Sequence, residues 1–307
     1  MSKCQQLFVL GAPRSGTTFL SSLLKKTSFN APVETHFITK YYKKIRRYGD
    51  LKDRGNFRKL VKDILSERPV QQWNLDLDIE NLYDELPASF SYGDLVNAII
   101  LKRKQLQGQN RWGDKTPHYL GEIEILDEIF PQANFIYIVR DGRDVALSLL
   151  EKPWGPSNIY KCAKYWSRLN NKEKTIKKLK DNNQLHFIKY EDLLKNTTSK
   201  ALEVYDFLGE DITEKEITSL TASVQSRNYN KWKKKMTPNQ LRVFEAISSK
   251  ELAAFGYEVI NTNSRVSFFE IQYFNVHEMI HRAWFLFHAN IVDGFKIRYL
   301  GKEPFDE

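Results

Sequence analysis

The segment Gly11-Ala12-Pro13-Arg14-Ser15-Gly16-Thr17-Thr18 constrains the fold of this chain more than any other. A short apolar run at residues 7–10 precedes it and is typical of a buried strand, and residues 17–26 have helical spacing of apolar side chains. Glycines let backbone N–H groups curl around an oxyanion, and a helix N-terminus adds free donors and partial positive charge. The segment therefore predicts a phosphate-binding loop between a strand and a helix of an α/β protein.

Three side chains of this loop favour an anion site over a plain strand-to-helix turn. The Arg14 guanidinium can donate to two oxygens of one anion, and the hydroxyls of Thr17 and Thr18 can donate further hydrogen bonds. The Walker P-loop has a lysine where this chain has Thr17, so the phosphate-binding cation comes earlier, at Arg14. This difference argues against an ordinary ATPase or kinase.

The rest of the chain alternates strand and helix patterns. Strands are predicted at residues 135–139 and 185–188, and longer helices at residues 158–180 and 238–256. This alternation predicts the α/β class, with a P-loop-like parallel sheet flanked by helices. Residues 38–110 are predicted to form a helical insertion in a main domain of residues 1–260, and residues 261–307 a helical C-terminal tail.

A second strand end has the composition of a phosphate site. Arg140 directly follows the predicted strand at residues 135–139, at the edge where open α/β sheets bind ligands. Ser148 lies two helical turns further along, so an arginine and a hydroxyl are available for one phosphate. An ion pair of Arg140 with Asp141 or Asp144 is the alternative.

These segments resemble the sulfotransferases that use 3′-phosphoadenosine 5′-phosphosulfate (PAPS), in particular the protein-tyrosine and heparan sulfate types and their bacterial relatives. Residues 14–18 are similar to the 5′-phosphosulfate loop of the protein-tyrosine members. Arg140 and Ser148 are similar to the arginine and serine, eight residues apart, that bind the 3′-phosphate. The resemblance implies transfer of a sulfuryl group from PAPS to a hydroxyl or amine, without a metal.

Three shorter segments resemble the same family in the same order. Residues 111–117 are similar to a segment whose lysine, here Lys115, reaches the active centre; residues 189–194 are similar to a common segment after a strand; and residues 231–233 are similar to a late loop that closes over the nucleotide. Phe19 stands where cytosolic members have an adenine-stacking tryptophan. The resemblance thus implies a nucleotide site made of Arg14, Ser15, Gly16, Thr17, Thr18, Phe19, Arg140, Ser148, Tyr190, Lys231 and Trp232.

Sulfuryl transfer also needs a base beside the acceptor, because the pKa of a hydroxyl is far above neutral. Related enzymes have a glutamate base in a segment similar to Glu34-Thr35-His36-Phe37. The resemblance implies that Glu34 is the base, with His36 as the second candidate, and that Arg14 and Lys115 stabilise charge on the bridging oxygen as the S–O bond breaks. Glu34 as an acceptor at a helix start and His36 as a packed residue are the alternatives.

The tail contains the sequence His277-Glu278-Met279-Ile280-His281, which has the H-E-x-x-H spacing of zinc hydrolases. The extended metalloprotease form requires glycine and histidine where this chain has Trp284 and Phe287, so no metal site is predicted. The same segment has a helical apolar stripe that extends to Ile291. This stripe is suited to packing on the main domain, to contact with a second copy, to an acceptor lid or to a membrane surface.

Composition narrows the class of partner. The net charge of +9 suits a polyphosphorylated nucleotide, and no zinc-finger spacing or long basic tail predicts nucleic-acid binding. No apolar run approaches the roughly 20 residues of a membrane span, and no signal peptide is predicted. Two cysteines, Cys4 and Cys162, predict a reducing cytoplasm. The acceptor stays open among a sugar, a lipid, a small molecule and a peptide, and the alternatives to a sulfotransferase are a P-loop-type small-molecule kinase or NTPase and a non-catalytic nucleotide-binding or nucleic-acid-binding module.

Overall fold

Four parallel strands form the central sheet of the computed structural model, which describes residues 4–30, 32–103, 106, 108–221 and 229–288. The strands are β1 (Gln5–Leu10), β2 (Arg111–Asp114), β3 (Asn134–Val139) and β4 (Leu185–Lys189). Their order is β2-β1-β3-β4, with Phe8 paired to Asp114 on one side and to Phe135 on the other. The strand order reverses at β1, and ligands of such sheets bind at the carboxyl ends of the strands that flank a reversal. The predicted α/β fold class is confirmed.

Strand β2 was not predicted from the sequence, where residues 111–117 stand only as a motif. Its four residues, RWGD, contain no β-branched side chain, so intrinsic strand propensity is low. Packing supplies the stabilisation instead, because the Trp112 indole is fully buried with its ring centre 5.6 Å from those of Phe8 and Phe130. Tertiary contacts therefore override local preference at this edge of the sheet.

Helices connect and cover the strands. In chain order, the helices of the described residues are α1 (Thr17–Leu23), α2 (Ile38–Tyr42), α3 (Arg54–Leu65), α4 (Arg68–Gln71), α5 (Ile79–Glu85), α6 (Tyr92–Leu101), α7 (Ile123–Ile129), α8 (Gly142–Leu150), α9 (Ile159–Asn170), α10 (Glu173–Asp181), α11 (Tyr190–Lys195), α12 (Thr197–Leu208), α13 (Glu214–Thr221), α14 (Trp232–Lys235), α15 (Pro238–Ala254) and α16 (Phe268–Phe287). The insertion is helical as predicted, from α2 to α6.

Two predicted helix bounds are wrong. The single helix predicted at residues 158–180 is α9 and α10, separated at Asn171, whose ψ of 70° is not helical. The helix predicted at residues 17–26 ends at Leu23 and continues as a 3-10 turn, Leu24–Lys26. Short breaks of this kind leave the apolar spacing intact, and the sequence pattern does not show them.

The chain divides into two compact units, residues 1–139 with 172–227 and residues 140–171 with 228–307. The first unit contains the whole sheet, and its core is built around Phe8, which stacks on Phe135 with ring centres 5.6 Å apart. The second unit packs α8, α9 and α15 around the buried Trp166 and Phe244. The predicted boundary between residues 1–260 and 261–307 stays a prediction.

Helix α16 belongs to the second unit and is well defined at its start. Ser267 and Glu270 form a reciprocal capping box. The Glu278 carboxylate is buried and accepts hydrogen bonds from the backbone N–H and the hydroxyl of Ser157, each at 2.9 Å. None of the helices in the described part of the chain has both the length and the apolarity needed to cross a membrane.

Candidate active site

The loop after β1 has the geometry of an anion site within the first unit. Its backbone turns back on itself, because Ser15 N–H donates to the Ala12 carbonyl at 3.0 Å and Arg14 and Gly16 both have positive φ, of 72° and 94°. Helix α1 begins immediately afterwards with Gly16 as its N-cap. Successive N–H groups at such a turn and the helix N-terminus face the same anion position.

Close packing fixes the shape of this loop. A Cβ atom on Gly11 would lie 2.8 Å from Ile138 of β3, and one on Gly16 would lie 2.3 Å from the ring of Tyr190, the first residue after β4. Only glycine fits at either position, and the positive φ of Gly16 adds a second reason. The segment after β4 therefore contributes to the loop by covering it with the Tyr190 ring.

The buried Ser15 hydroxyl bears on whether a phosphosulfate fits in the loop. Ser15 is fully buried, and its Oγ has no hydrogen-bond partner among the described residues. A buried hydroxyl without a partner is costly, and an anion bound in the loop would accept from it. Arg14 and Thr18 are exposed beside it, Thr17 is buried, and Phe19 is half-buried on α1. The loop residues fit an anionic ligand.

The candidate bases lie in a second cluster of the first unit. The Glu34 carboxylate is ion-paired with Lys115 and lies 3.0 Å from Nε2 of His36. The His36 ring stacks on His118 with ring centres 5.2 Å apart. The structure thus brings Lys115 to Glu34 and His36, although it lies 81 residues after Glu34 in the sequence. Glu34 is not a helix-start acceptor, because α2 begins at Ile38 without a side-chain cap.

Asp114, at the end of β2, positions this cluster. Its carboxylate accepts from the N–H of Thr35 at 3.0 Å and from the N–H of Thr116 at 2.8 Å, so it fixes the residue after Glu34 and the residue after Lys115. The Thr35 hydroxyl lies 2.8 Å from the Tyr119 hydroxyl, which also accepts from the N–H of Ile38. Every group of this network is buried. The spacing of Glu34 from Lys115 is therefore set by the edge of the sheet.

The electrostatics of the cluster favour an ionised Glu34. Hydrogen bonding from His36 lowers the pKa of Glu34 to about 2, and Lys115 acts in the same direction against the effect of burial. Burial lowers the pKa of His118, and the neighbouring His36 adds to that shift. A carboxylate with so low a pKa is fully ionised at neutral pH and binds a proton weakly while both partners contact it.

Asp114 predicts a measurable pH dependence of stability. Burial raises its pKa from 3.8 to about 6, so between these values the folded protein binds the proton more tightly than the unfolded chain does. The stabilisation is complete below pH 4 and is lost as pH rises through 6. We expect the free energy of unfolding of wild type, relative to Asp114→Asn, to fall by roughly 1–3 kcal/mol across this window. Urea denaturation of both proteins from pH 4 to 7 measures it, and parallel profiles would contradict the assignment.

A cavity of about 320 Å³ lies beside the two candidate bases. Its lining combines the base segment with α4 and the residues after α4: Val33, Glu34, His36, Pro69, Gln72 and Trp73. The Trp73 ring is held from behind by the guanidinium of Arg103, 5.1 Å from the ring centre, and by the edge of Phe37. An indole face next to an ionised carboxylate is suited to a ring-bearing ligand with a polar group.

The second unit contains the other predicted phosphate ligands. Arg140 is buried, and its Nη2 lies 3.7 Å from the Asp144 carboxylate. That carboxylate accepts a hydrogen bond from the backbone N–H of Trp232 at 2.9 Å. Ser148 is half-buried on α8, and Lys231 is exposed. Burial raises the pKa of Asp144. The ion pair of Arg140 with Asp144, which is the alternative interpretation of this segment, is present, although 3.7 Å is longer than a hydrogen bond.

The Trp232 side chain is buried against Arg143. Its indole is buried, the Arg143 guanidinium lies 3.6 Å from the ring centre, and its Nε1 has no hydrogen-bond partner among the described residues. Arg143 is itself fixed by hydrogen bonds to Asp141 at 2.7 Å and Glu245 at 2.8 Å. The unpaired indole N–H is a donor that a ligand oxygen would satisfy.

The H-E-x-x-H segment is structural. Glu278 is occupied by Ser157 and Arg282, and the His277 Nδ1 lies 2.8 Å from the Ser157 hydroxyl. No cluster of three or more potential metal-binding side chains occurs within the described residues. The motif anchors α16 to the segment before α9.

Sequence reasoning missed several residues of the site. Asp114 and Thr116 belong to the motif at residues 111–117, but the sequence indicated a role only for Lys115. The hydrogen bonds of Asp114 to a distant backbone leave no local pattern in the sequence. Trp73 and His118 have no motif at all, and only the tertiary structure brings them to Glu34. The Tyr190 contact with the loop is equally invisible in the sequence.

Fold and site together define an α/β protein with a loop suited to an anion after β1 and a carboxylate–lysine pair. Comparison with known families specifies the class further, because the profile of the sulfotransferase family matches residues 6–214. The chain therefore belongs to the sulfotransferase family. Comparison with curated protein sequences gives no match.

Solved structures share the fold. The sulfotransferase domain from the curacin biosynthetic pathway is 18% identical, with 85% of this chain and 99% of that chain covered and a TM-score of 0.54. The sulfotransferase domain of the Synechococcus PCC 7002 olefin synthase is 21% identical, with 84% and 96% covered and a TM-score of 0.54. A mouse sulfotransferase complexed with PAP is less similar, at 15% identity, 81% and 85% coverage and a TM-score of 0.45.

Proposed function

We propose that this chain transfers the sulfuryl group of PAPS to a hydroxyl or amine of an acceptor. The observation that supports this most is the ion pair of Glu34 with Lys115, held by Asp114 at the end of β2 in the unit that contains the phosphate loop. A binding module has no need for an ionised carboxylate fixed beside a lysine and a cavity. Radiolabelled PAPS, screened against cell extracts, tests for transfer and identifies the acceptor.

The donor-binding residues of this proposal follow the family resemblance. Residues Arg14 to Thr18 would bind the 5′-phosphosulfate, with Ser15 Oγ gaining the partner that it lacks among the described residues. The Tyr190 ring shapes this loop, and Phe19 follows it on α1. Arg140 and Ser148 would bind the 3′-phosphate, and Lys231 and Trp232 would cover the nucleotide. Arginine and lysine side chains supply the positive charge, so no metal is required in this proposal.

The chemistry follows from the cluster at Glu34. The acceptor oxygen attacks sulfur while the bond from sulfur to the bridging oxygen breaks, and Glu34 takes the acceptor proton. Lys115 and Arg14 stabilise the negative charge that develops on the leaving oxygen. As Lys115 turns towards that charge, Glu34 loses one of the contacts that lower its pKa and becomes a stronger base. His36 orients the carboxylate in this scheme and is the alternative base.

The acceptor would enter the cavity between the base segment and α4. Trp73 provides an apolar face, and the Gln72 side chain is an exposed amide at the rim. The helical insertion would thus face the acceptor. A sugar, a lipid, a small molecule and a peptide all remain candidates.

Cys4 and Cys162 are both free thiols, which supports the reducing cytoplasm predicted from the sequence.

Nucleotide binding distinguishes this proposal from a kinase or NTPase. We expect adenosine 3′,5′-bisphosphate to bind far better than ADP, with or without Mg²⁺, because only the former has a phosphate for Arg140 and Ser148. A charge-assisted hydrogen bond contributes roughly 1.5–3 kcal/mol, so Arg140→Ala should weaken adenosine 3′,5′-bisphosphate about 10- to 100-fold and leave ADP unchanged. Calorimetry with both nucleotides and an oligonucleotide measures this.

The control for this experiment is Arg168→Ala, which removes an exposed arginine of α9. It should bind both nucleotides as wild type does. The comparison with ADP also corrects for any effect of leaving Asp144 without Arg140. Equal affinity of wild type for the two nucleotides would reject the 3′-phosphate assignment, and tight oligonucleotide binding would favour a nucleic-acid partner.

A further inference from the structure

Helix α16 presents an apolar face to solvent. Its exposed large apolar side chains range from 49% to 82% exposure: Phe268, Phe269, Tyr273, Val276, Met279, Ile280, Trp284, Leu286 and Phe287. Elsewhere in the described residues, only Trp154 and Ile260 are large apolar side chains of comparable exposure. A contiguous apolar face of this size marks an interaction surface.

The opposite face of α16 is fixed to its own unit. The Phe274 ring stacks on Tyr160 with ring centres 5.5 Å apart, and the Phe274 carbonyl accepts from the Asn158 side chain at 3.0 Å. One turn further, the buried Glu278 accepts from Ser157. These contacts hold the helix in one rotation, so the exposed face cannot turn inward to bury itself.

The exposed face has the spacing of a helix–helix seam. Steps of four and three residues alternate along it, and none of the residues at these positions is charged: Phe269, Tyr273, Val276, Ile280, Ala283 and Phe287. An alternation of this kind keeps one stripe of a helix in contact with a partner helix. The helix is long enough for the purpose, since 20 residues extend about 30 Å.

We infer that this face binds the same face of a second copy of the chain, in a two-fold symmetric dimer. An aromatic side chain buries about 150–250 Å² in full, so the five aromatic side chains of this face, each more than half exposed, offer roughly 100 Å² each and about 500 Å² per copy, to which the four exposed aliphatic side chains add. Stable interfaces bury about 800 Å² per partner. A self-complementary apolar patch is what a two-fold interface requires.

The charges of α16 favour a second copy over an anionic membrane surface. Helices that lie on membranes have lysine and arginine beside the apolar face. The charged residues of α16 are Glu270, Glu278 and Arg282, and all of them form ion pairs within the chain, Glu270 with Arg242 and Glu278 with Arg282. The helix itself therefore offers no free positive charge to lipid headgroups.

Sedimentation of the full chain tests the dimer. We expect wild type to be a dimer at micromolar concentration, and Ile280→Glu to weaken dimerisation about 100-fold or more, because each copy would bury an uncompensated charge in the interface. Ile260→Glu is the matched control: the same substitution at a side chain 55% exposed, compared with 62% for Ile280, but outside α16. It should remain dimeric.

Circular dichroism confirms that each variant is folded, and Val276→Glu serves as a second interface variant. Two results would overturn the inference. One is a wild type that stays monomeric at about 100 µM; the other is an Ile280→Glu protein that dimerises as tightly as wild type. Flotation with phosphatidylserine vesicles adds a further arm, in which binding by a monomeric wild type would assign the face to lipid instead.

Discussion

Replacement of Glu34 by glutamine should reduce kcat by about 10²- to 10⁴-fold, the usual contribution of a general base. Glutamine keeps the size of the side chain and an oxygen for Lys115, but it cannot take the acceptor proton. The affinity for adenosine 3′,5′-bisphosphate should barely change, because that nucleotide has no sulfuryl group to bring towards Glu34. Steady-state kinetics with the acceptor found by the screen, together with calorimetry, measure both quantities.

His36→Ala, assayed beside Glu34→Gln, separates the two candidate bases. If His36 only orients the carboxylate, its removal should cost less turnover than the loss of Glu34. The pH profile gives a second readout, because a carboxylate with a pKa of about 2 stays ionised as pH falls. Wild-type kcat/KM should therefore hold its value down to about pH 4 if Glu34 is the base. Turnover of Glu34→Gln within threefold of wild type would leave His36 as the better assignment.

Replacement of Lys115 by methionine should reduce kcat by about 10²- to 10³-fold, the typical effect of removing one group that stabilises transition-state charge. Methionine preserves the length and apolar packing of the side chain, which is largely buried. The affinity for adenosine 3′,5′-bisphosphate should again stay within about threefold, because the charge that Lys115 stabilises develops only as the S–O bond breaks. The effect should thus appear in kcat rather than in nucleotide binding.

Lys102→Met is the matched control, because Lys102 also pairs with a glutamate, Glu85 at 2.7 Å, but lies on the exposed end of the insertion. Its kinetics should match wild type. Lys115→Arg keeps the charge and should recover part of the lost rate. If Lys115→Met weakened nucleotide binding and turnover to the same degree, or left turnover intact, the lysine would not act on the leaving oxygen.

The sequence was most informative where chemistry and local structure coincide. The turn between β1 and α1 could be predicted because Gly11 and Gly16 stand between an apolar strand and a helix, and both glycines prove sterically necessary. Strand β3 could be predicted because residues 135–139 are a continuous apolar run, and β4 because Leu185, Phe187 and Ile188 make it mostly apolar. Strand β2 could not, since its stability comes from Trp112 packed on Phe8 and Phe130 and not from its own residue types.

The candidate site shows the same division. Glu34 and Lys115 were predicted from separate motifs, but their ion pair, and the low pKa that follows from it and from His36, depend on Asp114 bonding two segments at once. Trp73 joins the site because the insertion folds back on the base segment, which no periodicity reveals. The sequence indicated that Glu34 and Lys115 are candidate site residues, but their positions relative to each other required the tertiary structure.

The order of strands has a consequence for how the protein is made. Strand β1 pairs with β2 and β3, which follow it by more than 100 residues, and the ring that covers its loop belongs to Tyr190. Parallel pairings between distant segments raise the contact order and slow folding. During synthesis β1 emerges from the ribosome before β2, β3 and Tyr190 are translated. The loop after β1 therefore acquires its shape only once residues beyond β4 have been translated.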